Sequence, residues 1–207
     1  MGNHRKLVLA AIMAAAILGA AVSAASARNF EITNWERGFR IVWSTFRIEA
    51  GGREVACPIT LEGTFSRHTF IKSAGNEIGR VTAAGSGTCA RGGLTLLRET
   101  LPWDVTYNSF GGTLPNIGSI TVNVFDMAFQ TNMDGIVCLA RTMSERPGRF
   151  VAAFTGASIT GVQAEAAARI ETRGGFFCVI AGEASFSGNT NSVTVRGGTE
   201  RISVRLI

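Results

Sequence analysis

The residues of this chain that could do chemistry are four cysteines, a scatter of glutamates and, beyond the N-terminal stretch, a single histidine. They crowd together in CPITLEGTFSRHTF, residues 57–70, which carries Cys57, Glu62, Ser66 and His68. A Cys–His pair there would make Cys57 the thiolate nucleophile and His68 its base. Serine chemistry would need the same histidine and a nucleophile elbow. No G-x-S-x-G occurs, and the nearest runs, GSG at 85–87 and GAS at 156–158, read as turns. A glycosidase would need two carboxylates about 5–10 Å apart. Glu62 and Glu183 are the pair to consider, because CPITLEGTFS (57–66) is echoed by CVIAGEASFS (178–187). Metal chemistry lacks ligands, with one histidine and no C-x-x-C, so no metal site is expected. The glycine runs match neither the phosphate-binding nor the dinucleotide spacing, so no cofactor is expected.

Strand phase weighs against the catalytic readings. In an extended strand Cys57, Ile59, Leu61, Gly63 and Phe65 share one face, and Pro58, Thr60, Glu62, Thr64 and Ser66 share the other. Cys57 and Glu62 then point apart, while His68 falls where the alternation ends. The echo predicts Cys178, Ile180 and Phe186 opposite Glu183 and Ser187.

The N-terminus explains the cysteines. Residues 1–27 read as a cleaved secretory signal: a basic GNHRK, an apolar run Leu7–Val22, and Ala25-Ser26-Ala27 as a small-x-small cleavage site. Retention as an anchor is the alternative, disfavoured because a spanning helix needs about 20 residues. Residues 28–207 then form one exported β-rich domain, secreted or periplasmic and cell-envelope-associated, with no further membrane span. In an oxidising compartment Cys57, Cys89, Cys138 and Cys178 imply two disulfides. Of three pairings, Cys57–Cys89 with Cys138–Cys178 is favoured, since each closes a local loop within one half of the chain.

Strand signals dominate the rest. ERISVRLI alternates Ile202, Val204 and Leu206 with polar residues, and WDVTY sets Trp103, Val105 and Tyr107 on one face. ITVNVFDMAF (120–129) is apolar on both sides, as in a central or doubly covered strand. GVQAEAAARIET has helix-forming composition but period-2 alternation, and the period assigns it to a strand. Glycine pairs at 51–52, 92–93, 111–112, 174–175 and 197–198 punctuate the chain as turns. The expected fold is all-β, a disulfide-stabilised antiparallel β-sandwich or closed β-barrel of about eight to ten strands.

CPITLEGTF, the cysteine at 89, LPWDVTY, GTLPNI and GEASFSG together resemble a group of exported bacterial β-rich proteins that has no named activity. The resemblance spans most of residues 39–207. It implies export and a β fold, and assigns no functional residue.

The formal charge of +5 comes from basic residues scattered singly, not from a stripe, which argues against a nucleic-acid partner. A cell-envelope polymer or an extracellular protein fits better. Trp35, Trp103 and Tyr107 are the candidate binding aromatics, conditional on exposure, because strand aromatics usually face a core. Three functional classes follow. The favoured one is a non-enzymatic binding domain. The others are a polysaccharide hydrolase using Glu62 and Glu183, and a barrel carrying a small apolar ligand.

Overall fold

The computed structural model describes residues 28–172, 178–190 and 192–207; the proposed signal segment lies outside them. The described chain is β throughout, apart from one 3-10 turn at Arg98–Thr100. Its strands begin with β1 (Asn29–Ile32), β2 (Gly38–Ala50), β3 (Arg53–Phe65), β4 (Thr69–Ile71) and β5 (Glu77–Ser86). Next come β6 (Gly93–Leu96), β7 (Trp103–Gly111), β8 (Ser119–Val124), β9 (Ala128–Met133) and β10 (Ile136–Thr142). The last are β11 (Gly148–Thr155), β12 (Ser158–Glu171), β13 (Gly182–Thr190), β14 (Ser192–Val195) and β15 (Val204–Leu206). More strands form than the turn spacing predicts, because several span only three or four residues.

The pairing closes a barrel. Strands β11, β8, β7, β5, β3, β2, β13 and β12 follow one another, and β12 returns to β11, every contact antiparallel. Closure leaves this ring no free edge. The long β12 does double duty: its first half pairs β11, and Ala168–Glu171 pair β10. From β10 the sheet continues through β9 to β6, which approaches β3 beside the Ala56–Arg91 bridge. A separate sheet, β15-β1-β4, stacks Phe30, Phe70 and Leu206 in one row. Its Phe30 and Phe70 are buried, so this row faces the barrel.

Local chemistry sets the turns. Gly51 and Gly52 join β2 to β3 with φ of 55° and 72°, the left-handed pair that a two-residue hairpin demands. Asp134-Gly135 does the same between β9 and β10, at φ 53° and 87°. Asp126, at φ 58°, breaks ITVNVFDMAF into β8 and β9, so the single central strand expected there is two strands in different parts of the sheet. The alternating segment from residue 161 is strand through Glu171, as its period requires.

Both disulfides form in the favoured pairing. Cys57–Cys89 ties β3 to the segment before β6, with Cα atoms 4.0 Å apart. Cys138–Cys178 ties β10 to the segment before β13, at 5.5 Å. The echo at 178–187 is partial: Phe186 is buried and Glu183 exposed as predicted, but residues 178–181 form a turn and the strand starts at Gly182.

Candidate functional site

The catalytic candidates do not assemble. Cys57 is buried in its disulfide, so no thiolate is present for His68 to activate. His68 sits between β3 and β4, its Nδ1 3.3 Å from the Ile32 carbonyl oxygen and its own carbonyl accepting the Ile32 amide. Glu62 lies 3.6 Å from Arg40 Nε across the β2–β3 pair. Glu183 is on β13, on the other side of β2. Glu62 is level with Arg40, whereas Glu183 lies beyond the Ala50 level, a separation of about 35 Å of extended chain. These two carboxylates cannot share a scissile bond. Glu183 instead borders an open groove of about 620 Å³ with Glu49, Glu54 and Arg53, where Arg47 holds Glu54 at 2.5 Å.

Two of the three binding aromatics are structural. Trp103 is fully buried and donates its indole N–H to Thr100 Oγ1 at 2.9 Å. Tyr107 is buried too, its ring 5.8 Å from that of Phe30, and burial raises its phenol above the ordinary value of 10.0. The reason is the shared face with Val105: exposing the pair would have exposed the valine as well. Trp35, by contrast, is 92% exposed.

The interior of the ring holds what the sequence concealed. Its two ends are filled differently. Toward the disulfides, Phe150, Trp43, Phe46, Phe129 and Trp103 form a ladder of ring contacts with centroids 5.5–6.0 Å apart. Such offset and edge-on contacts fill space tightly. Toward the β15-β1-β4 sheet the ladder ends at Phe150, a second aromatic group of Phe30, Phe70, Phe65 and Phe39 packs with centroids 5.0–6.3 Å apart, and β8 and β11 contribute the smaller Ile120, Val122 and Ala152. An apolar cavity of about 90 Å³ remains there, roofed by Phe30, Ile32 and Val204 and walled by strands of the ring. Every lining side chain is apolar. A charged or strongly hydrogen-bonding group would lose its hydration inside without compensation. Binary patterning marks each of these positions as core, and nothing in a pattern reports whether facing side chains meet.

Among the described residues no cluster of His, Cys, Asp and Glu has the arrangement to hold a metal ion. None of their helices is long and apolar enough to cross a membrane. Comparison with protein-family models, with curated proteins and with solved structures finds no match to this chain. The class is therefore defined by fold and site alone: a disulfide-stapled, closed antiparallel β-barrel with an unfilled apolar interior at one end.

Proposed function

We propose that the chain is an exported, non-enzymatic binding domain that holds a small apolar molecule, or the apolar end of a larger one, inside the eight-stranded ring. The observation that carries this reading is the cavity of about 90 Å³ with wholly apolar walls. Native interiors are packed to near-crystalline density, and an empty space lined by hydrocarbon forfeits dispersion contacts that an apolar guest restores. Two disulfides support assignment to an oxidising compartment, and the N-terminal reading supports export.

Chemistry restricts the guest. It must be uncharged where it enters, and small: a cavity of about 150 Å³ lined by such residues accepts benzene or xenon. Xenon suits this smaller space, and a longer hydrocarbon would need the roof to yield. The test is titration of the purified protein with xenon, followed through the methyl resonances of Ile120, Val122 and Val204. Saturable shifts confined to cavity methyls are expected. Shifts absent there, or spread evenly over surface methyls, would refute the reading.

A further inference from the structure

The segments that wall the cavity near its roof run directly into one cluster of surface residues. Ile32, Phe39, Phe65 and Val193 line the cavity, and each is within three residues of Trp35, Arg37, Arg67 or Arg196. Arg201 joins them, because its carbonyl accepts a hydrogen bond from Asn34 Nδ2 at 3.0 Å. The loop presenting Trp35 is fixed from both sides. Asn34 is buried, with Nδ2 also donating to Glu200 at 2.7 Å and Oδ1 accepting the Ser203 amide at 2.7 Å. Arg37 donates to the Ser66 carbonyl at 2.7 Å, and its own carbonyl accepts the Phe65 amide. Trp35 is thus a large indole held out in water at 92% exposure on a preorganised loop.

The charges around it are unbalanced. Several arginines on the barrel wall are matched to carboxylates, as in Arg40–Glu62, Arg47–Glu54 and Arg80–Asp104. No such ion pair forms at Arg37, Arg67, Arg196 or Arg201 among the described residues. The acidic residues nearest in sequence are Glu36 and Glu200, and the half-buried His68 is the remaining titratable group of the cluster. An exposed indole on a loop that adjoins four exposed arginines without ion-pair partners matches the interface of an anionic bilayer, where tryptophan sits at headgroup level and each arginine near the surface adds to attraction.

We infer that the Trp35 loop with Arg37, Arg67, Arg196 and Arg201 docks the domain on an anionic lipid membrane surface, with the cavity end toward the bilayer. This docking does not depend on the cavity being a ligand site. Membrane attraction is chosen over an anionic glycan because, among the described residues, Trp35 is the one exposed large aromatic, with Trp103 and Tyr107 buried, and offers a sugar chain no second stacking platform.

The protein carries its own probe. Trp43 and Trp103 are fully buried, so a change in tryptophan emission on docking reports Trp35. The exported, leader-free chain is mixed with phosphatidylcholine vesicles, with and without phosphatidylglycerol, and followed by emission and co-sedimentation. A blue shift and sedimentation with anionic vesicles are expected, weakening as salt rises from roughly 0.05 to 0.5 M. Trp35→Ala should abolish the shift and most binding, while Arg67→Gln and Arg201→Gln should each weaken binding roughly fivefold. Thermal unfolding of each variant checks folding, which so exposed a side chain should not disturb. Ala152→Ile, which fills the cavity, should dock as the parent does; xenon binding and docking therefore fail separately. Equal binding to neutral and anionic vesicles, or undiminished binding by Trp35→Ala, overturns the inference. So does binding of a soluble anionic polysaccharide with none to vesicles, which would assign the loop to a glycan.

Discussion

Filling the cavity from within should make the protein more stable and less able to bind. Ala152 lines the space from β11, opposite Ile120 of β8 and Val162 of β12. Isoleucine at that position adds three carbons and suits a strand, where β-branched side chains are favoured. Two routes give the magnitude. An unrelaxed cavity costs about 24 cal/mol per Å³, so 90 Å³ corresponds to about 2 kcal/mol. Three methylene equivalents moved out of water contribute about 0.8 kcal/mol each, again about 2 kcal/mol. For a domain of this size that is a rise in Tm of roughly 4–8 °C. Urea unfolding of parent and variant measures the difference, and xenon titration of both measures the space. The variant should gain stability and lose the xenon response. Loss of about 1 kcal/mol or more, the usual result of overpacking, would mean the space is already filled. A retained xenon response would place the guest elsewhere. Either result removes the basis for an internal ligand site.

Three further outcomes test the frame that holds the cavity. A Cβ on Gly63 would lie 2.3 Å from both the Arg80 carbonyl oxygen and the Phe39 ring; the ring can yield toward the cavity but the β5 backbone cannot. Gly63→Ala should therefore cost about 3 kcal/mol in urea unfolding, and a cost below about 0.5 kcal/mol would contradict this packing. Replacing Cys138 and Cys178 together by serine opens a loop of sequence separation 40 and should cost roughly 4 kcal/mol, read by the same method; a loss under about 1 kcal/mol would show that the staple contributes little. Tyr107 is the chain's single tyrosine, and its raised value means that the folded state holds the phenolic proton more tightly than the unfolded chain does. The corresponding stability is complete below pH 10.0 and is lost as pH rises through the raised value. Near-ultraviolet tyrosinate absorbance should appear above pH 10.0 in the folded protein, and ionisation at the ordinary value would refute the burial argument.

How far the sequence foretells this arrangement depends on what each feature rests on. Alternation is a property of one strand, so the buried faces of β3, β7 and β12 follow from residue order, as does the strand rather than helix at 161–171. Cysteine pairing was legible because an even cysteine count and short loop closure agree. Asp126 was the missed signal: a residue able to adopt positive φ, it divides an apolar run that hydrophobicity alone reads as continuous. Ring closure through the β11–β12 pair, and the separation of Glu62 from Glu183 by β2, depend on which strands meet. The cavity is further from sequence still. Val122 and Ala152 are ordinary core letters, and only their position opposite a ladder that ends at Phe150 leaves space between them.

The placement of the staples bears on which end of the barrel can admit a guest. Cys57 is bonded beside the Ala56–Arg91 bridge, and Cys138 lies on β10, so both cross-links secure the end that the aromatic ladder already fills. Neither reaches the roof. There β1 and β15 pair with each other, and the Ser158–Ser203 bridge, the Ile159 amide on the Ile202 carbonyl and the Val204 amide on the Ala157 carbonyl tie this sheet's end to the ring. Opening the far end would disrupt both the ring contacts and the cross-linked segments. Moving Phe30, Ile32 and Val204 would break a few hydrogen bonds, such as that from the Val204 amide to the Ala157 carbonyl, but neither disulfide. The route to the cavity that leaves both disulfides in place therefore passes the roof, at the end where Trp35 stands in water and, among the described residues, Arg67, Arg196 and Arg201 form no ion pair with a carboxylate.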